Sequence, residues 1–121
     1  MDRIIKEGEG WRLGWNPQAS EFQGLIGGEA WSLELTAAEL DDFCRLLGQL
    51  ADTMVSMASE LMPEEKITCE AESALLWIEA AGYSHAYSLH FILQTGRQAE
   101  GSWPAAAVPG LVQATQMLKV F

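Results

Sequence analysis

Trp31-Ser32-Leu33-Glu34-Leu35-Thr36-Ala37-Ala38-Glu39-Leu40 changes its period in the middle, and that change decides the fold. Through Leu35 apolar side chains alternate with polar ones, the period-2 signature of a strand with one buried face. Thr36 and Glu39 then form a capping box, in which hydroxyl and carboxylate each satisfy the other residue's orphan backbone N–H at a helix start. From Ala37 the apolar residues Leu40, Phe43, Cys44, Leu47, Leu50, Ala51, Met54, Val55 and Ala58 keep helical spacing, which predicts a helix over 37–61 that Pro63 stops.

Working upstream, Trp11, Leu13 and Trp15 alternate with Arg12 and Gly14 as a strand ending at Asn16-Pro17, and Phe22 to Ile26 is a weaker strand followed by a Gly27-Gly28 hairpin turn. Downstream of Pro63 the period returns to 2. Ile67, Cys69 and Ala71 oppose Thr68, Glu70 and Glu72, and the apolar run Ala74 to Ile78 continues until Gly82 breaks it. Tyr87, Leu89, Phe91 and Leu93 form another alternating strand. Thr95-Gly96 then turns into a last one, with Gln98, Glu100 and Ser102 outward, that ends at Trp103-Pro104. Val108, Leu111, Val112, Thr115 and Leu118 predict a closing helix, with Pro109 tolerated in its first turn. Strands, helix, strands, helix is an α+β pattern: two antiparallel β-sheet-plus-helix halves, about 1–62 and 63–121, forming a pseudo-dimer within one domain. Glu29-Ala30-Trp31 before the first helix and Glu100-Gly101-Ser102-Trp103 before the second read as matching marks.

The composition bounds what such a domain does. With 121 residues, 49% hydrophobic, the chain can bury one real core, and its apolar runs fall short of a membrane span. The opening Met1 to Gly8 has no apolar run of a secretion signal, so a cytoplasmic location is the expectation. Cys44 and Cys69 lack CxxC spacing and sit at apolar-phase positions, as reduced core thiols do. Seventeen acidic against seven basic residues give a net charge of −10, a field that repels phosphate backbones. Seven of those acids and one base fall between residues 36 and 65.

Gly10-Trp11-Arg12, Gly27-Gly28-Glu29-Ala30-Trp31 with Leu33-Glu34-Leu35-Thr36, Cys69-Glu70-Ala71-Glu72-Ser73, His85-Ala86-Tyr87-Ser88-Leu89 and Glu100-Gly101-Ser102-Trp103-Pro104 together resemble the cyanobacterial family called domain of unknown function 1818. The resemblance covers nearly the whole chain and implies a cyanobacterial cytoplasm. It also implies a fold similar to the single-stranded-DNA-binding regulator superfamily of Whirly proteins, Pur-alpha and the positive-cofactor-four coactivators. The family has no assigned activity, so a nucleic-acid role would rest on fold analogy alone.

Single-strand binders need a basic strip and exposed aromatics for base stacking. The outward strand positions expected here, Arg12, Ser32, Glu34, Thr68, Glu70, Glu72, Ser88, His90, Gln98, Glu100 and Ser102, hold four acids, one obligate base and no aromatic. Trp11, Trp15, Trp31, Tyr87 and Phe91 fall on the core phase; Trp77 and Trp103 are the aromatics left as candidate anchors. Glu70 and Glu72 share a strand face, which suits a divalent cation or acid/base work, but a retained cation demands further oxygen ligands, for which the sequence nominates only Glu34 or Glu100, and a solvated face is the simpler reading. His85 and His90 point to opposite faces, poor geometry for a shared metal. A catalytic role for Cys44 is opposed by burial, which raises a thiol's pKa. No phosphate loop, GxSxG or HExxH occurs, so neither enzyme activity nor a cofactor or metal is expected. Arg12 and Arg97 would pair with Glu70, Glu72 and Glu100, or join them with Trp77 or Trp103 in a recognition face. The expectation is a non-enzymatic interaction domain that binds a protein partner; the alternative is a single-stranded nucleic-acid-binding regulator.

Overall fold

The computed structural model describes residues 2–118. Strands β1 (Ile4–Gly8), β2 (Trp11–Trp15), β3 (Gly24–Gly28) and β4 (Ser32–Leu35) precede helix α1 (Ala37–Met57). Strands β5 (Lys66–Glu72), β6 (Leu76–Tyr83), β7 (Ala86–Leu93) and β8 (Glu100–Trp103) precede a 3-10 turn (Ala105–Ala107) and helix α2 (Val108–Met117). Each set of four strands is an antiparallel meander in sequence order, so the chain is an α+β fold of two halves.

Cross-strand register gathers the apolar phase of each sheet onto one face. In the first sheet Leu13 opposes Ile26 and Ile26 opposes Leu33; in the second Ala71, Ile78, Phe91 and Gly101 form one row, and Cys69, Ala80, Leu89 and Trp103 the next. Leu13, Ile26, Leu35, Leu40, Phe43, Leu47, Ile78 and Leu111 are all 0% exposed and belong to one continuous core, whose burial is the main force holding the halves together. The helices are exchanged. α1 packs on β5 and β6 of the second sheet as well as on β3 and β4, while α2 packs on β1 and β2 of the first sheet as well as on β7.

The helix starts show how closely the halves correspond. Thr36 before α1 (φ −67°, ψ 163°) and Pro104 before the 3-10 turn that leads into α2 (φ −70°, ψ 162°) take the same extended N-cap conformation, preceded by the fully buried Leu35 and Trp103. Thr36 makes the expected capping box with Glu39, at 3.2 and 2.9 Å. Trp103 therefore matches Leu35, and Trp31, which lies before β4, is not its counterpart. The two tryptophans instead meet: their rings lie 5.1 Å apart in a cluster with Phe43 and Phe91, and Trp103 Nε1 donates to Gly27 O at 2.8 Å across the two sheets.

Several sequence expectations need correction. α1 stops at Met57, short of 61, because the Ala58 N–H closes onto Val55 O in a 3-10-type turn and the Ser59 hydroxyl donates to Ser56 O. Val55 is 75% exposed and Ala58 is exposed, whereas Leu46 is core. Gly27 and Gly28 lie within β3, the turn being Glu29-Ala30, closed by Gly28 N–H to Trp31 O. Gly82 lies within β6 at φ +140°, and the chain turns at Ser84-His85. Gln98 sits in the loop before β8 with φ +53°. The expected strand Phe22 to Ile26 starts only at Gly24, and β1 is an additional edge strand.

A candidate docking groove between the two helices

The C-terminal part of α1, the start of α2 and the tip of the β6–β7 hairpin converge without filling the space between them. They leave an open groove of about 400 Å³. Ala51 and Val55 supply one wall, Val108, Pro109 and Val112 the other, and Ala86 and Tyr87 the end. Each placement follows from local sequence. Val55 follows the buried Met54 on α1 but faces away from the core, Pro109 fits the first turn of α2 because its missing N–H has no partner there anyway, and the two-residue Ser84-His85 turn brings Tyr87 up to the helices. The polar atoms at the groove belong to Asp52, His85, Gln116 and the Tyr87 hydroxyl, whose acidity burial reduces, pushing its pKa above the usual 10.0. Among the described residues Val55, at 75%, is the most exposed of the large apolar side chains, and it stands beside the apolar residues of the groove and not alone.

The residues nominated from sequence divide between the second sheet and elsewhere. Glu70, Glu72, Trp77 and Glu100 do come together on its outer face, where register adds Glu79, His90 and Ile92. Trp77 Nε1 donates to Glu70 Oε2 at 3.1 Å and its ring meets His90 edge-on at 5.6 Å. Gln94 donates to Glu72 at 2.9 Å, and His90 Nε2 lies 3.4 Å from Glu100. The two arginines are not among these acids. Arg12 is on the first sheet and donates to Trp31 O at 3.0 Å. Arg97, in the β7–β8 loop, donates to Glu34 O at 2.6 Å and to Glu39 at 2.5 Å, and its guanidinium lies over the Phe22 ring. Glu39 is 3% exposed and also accepts from the Thr95 hydroxyl, so its capping-box carboxylate ties the first half to the second. Trp103 is 1% exposed and presents no ring to a partner.

Other groups with chemical potential are engaged or suppressed. His85 lies in the turn, stacked on Tyr83 at 5.6 Å, away from the strand position expected for it. Burial, with Asp41 adding to it, pushes the Cys44 thiol up to about 12. Among the described residues no three His, Cys, Asp or Glu side chains gather as a metal site would, and no helix is long and apolar enough to cross a membrane. The sequence reading missed the groove. Its available signals were Val55 at the end of the stripe and a segment from Val108 to Met117 with no charged residue facing a strongly acidic helix.

Comparison with known proteins agrees with this architecture without supplying an activity. The family model described as Domain of unknown function (DUF1818) matches residues 6–118. A crystal structure of a protein of unknown function from Prochlorococcus sp. NATL2A, described as belonging to a DUF155 family, is similar at 32% identity and a TM-score of 0.89, over 93% of this chain and 96% of that one. No curated protein matches the chain.

Proposed function

The chain belongs to the domain of unknown function 1818 family, and from that premise we propose that it is a non-enzymatic interaction domain that binds a protein partner in the groove between α1 and α2. The observation that carries this reading is Val55, three-quarters exposed above an open apolar groove. Interface cores are depleted of charge and built around such apolar anchors, and burying an exposed valine contributes about 1.5 kcal/mol or more to association. Support for a non-catalytic role comes from the Cys44 thiol, held in its unreactive protonated form, and from the pairing of Arg97 with Glu39. A photo-crosslinking side chain in place of Val55, and separately in place of Trp77, tests the reading in the cells that carry the gene. A discrete protein adduct is expected from position 55 and not from 77; no adduct from either would end it.

A second reading has its own observation. The exchange of helices between two sheet–helix halves supports a pseudo-dimer resembling the Whirly fold, and with it a single-stranded nucleic-acid-binding regulator by analogy. Against that reading stands the outer face of the second sheet, where the half-buried Trp77 is ringed by Glu70, Glu72, Glu79 and Glu100. Phosphate approaching that ring meets four carboxylates. Fluorescence anisotropy with labelled single-stranded DNA and RNA at low salt decides it: salt-dependent binding at micromolar protein would favour the regulator, and the expected result is none.

A further inference from the structure

We propose that the groove between α1 and α2 receives an amphipathic helix of a partner protein that carries Lys or Arg beside its apolar stripe; this names the partner's chemistry and rests on the interaction-domain reading above. The form of the occupant follows from what lines the groove. A β-strand adds to a sheet through a row of free backbone N–H and C=O groups, whereas the two long walls of this groove are helical side chains and offer free backbone groups only at the helix ends. Polyproline segments dock between aromatic rings, and among the described residues lining the groove Tyr87 and His85 are the aromatic ones. At about 400 Å³ the groove has the size of a small-molecule cleft, but Val55 on its wall is 75% exposed, so a small ligand there would leave much of its own surface in water, which a longer segment laid along the wall covers. What remains is a helix that lays apolar side chains spaced i, i+3, i+4 and i+7 between Val55 and Val112.

Charge selects the partner. Among the described residues the groove is lined by one carboxylate, Asp52, and by no Lys or Arg. Elsewhere α1 and the following turn carry Asp41, Asp42, Glu60, Glu64 and Glu65 against Arg45, which is already bonded to Asp42 at 3.2 Å, and against Lys66 at the start of β5, whose ammonium is held over the Tyr83 ring. α2 contributes no charge to offset them. An approaching helix therefore meets a negative field on the α1 side and a neutral wall on the α2 side, which favours cations on one flank of its apolar stripe. A second copy of this chain is disfavoured as the occupant, since each copy brings a net charge of −10 to the same contact.

The test uses three helical peptides of about 18 residues with one apolar face in common and polar faces of Lys, Gln or Glu, titrated by anisotropy at about 30 mM and 300 mM salt. The Lys peptide is expected to bind about tenfold tighter than the Gln peptide, with the Glu peptide weakest and the spread shrinking at high salt. Val55→Asn should weaken the Lys peptide about tenfold, and Asp52→Lys should narrow or reverse the preference for Lys over Glu. Both side chains are exposed, so thermal melts of the variants should match the parent. Equal binding of the Lys and Gln peptides, both weakened by Val55→Asn, would overturn the basic-partner inference while leaving the groove an interaction site. Lys binding insensitive to Val55→Asn but lost in Glu70→Gln/Glu72→Gln would overturn the groove as its seat. Binding by none of the three would also overturn the inference, whereas the interaction-domain reading is judged separately by the crosslink at position 55.

Discussion

Arg97 and Arg45 each meet one carboxylate, yet they differ in what their loss would leave behind. Arg45 pairs with Asp42 on the exposed side of α1, where an ion pair contributes about 0–1 kcal/mol. Arg97 meets Glu39, which is 3% exposed and caps the helix at the same time. Removing Arg97 strands part of a buried charge, so Arg97→Ala should lose about 1–3 kcal/mol in urea unfolding, and Arg45→Ala less than about 0.5. A double-mutant cycle with Glu39→Gln should recover a coupling that the Arg45/Asp42 cycle lacks. Cys44 sets a second residue-scale expectation. With its thiol pushed up to about 12, on the order of one molecule in ten thousand carries the thiolate at pH 8, and native alkylation should be slow until the chain unfolds. The unfolded thiol ionises near its ordinary 9.0, so above that pH the fold binds more protons than the unfolded chain. Stability is fully present below about pH 9 and declines as pH rises toward about 12, with Tyr87 adding in the same direction above its own 10.0. Denaturation midpoints between pH 7 and 10.5 should fall, and Cys44→Ala should make the fall shallower.

At the scale of elements, glycines mislead where rings and carbonyls crowd the backbone. Gly82 takes φ +140° inside β6, and a Cβ there would lie 2.8 Å from Ala86 O and 3.0 Å from Tyr87 Cα. Gly82→Ala is thus strained both in dihedral and in space, and should lower stability by about 1–3 kcal/mol, read as a shift in the urea midpoint. It should also loosen the β6–β7 hairpin, visible as faster amide exchange at Tyr87, which forms the end of the groove. Gly28 misleads in a related way: a Cβ would meet Trp31 Nε1 at 2.3 Å, so glycine is there to admit a ring and not to make a turn. These explain why strand boundaries escaped the sequence while the change from β4 to α1 did not. Alternation in Trp31, Leu33 and Leu35 and the Thr36–Glu39 box are local and self-consistent, and the structure keeps them. β1 has no alternating signal, since Ile4 turns in while its neighbour Ile5 is 48% exposed, and it exists through pairing with β2. The acidic face of the second sheet was legible for the same reason as its core, because period 2 assigns both faces at once. The groove was not, for its walls come from residues 51–55, 85–87 and 105–116, and no local period announces that three distant segments meet without filling the space.

For the whole molecule the decisive fact is the exchange of helices. α1 is the longest element of the first half, yet its buried side, Leu40, Phe43, Leu47, Leu50 and Met54, packs on β5 and β6 as well as on β3 and β4. α2 covers β1 and β2 in return. A half cut from the other would expose the inner face of its own sheet and much of its helix. It would also lose the Trp103 to Gly27 hydrogen bond and the pairing of Arg97 with Glu39. A domain of about 60 residues is already marginal when its core is intact, and here each half's core is completed by the other. Fragments 1–62 and 63–121 are therefore expected to be largely unfolded alone by circular dichroism and to regain structure when mixed at equal concentration. The refolded pair should show a melting temperature that rises with concentration, as mass action requires. A cooperative melt in either fragment alone would mean that its own sheet and helix close a sufficient core, and the exchanged packing would then be a consequence of the fold and not its cause. The same exchange bears on the groove, because α1 belongs to one half and both α2 and the β6–β7 hairpin to the other. The peptide-binding surface should return only with the mixture, so recovery of Lys-peptide binding reports the docking of the halves independently of their secondary structure.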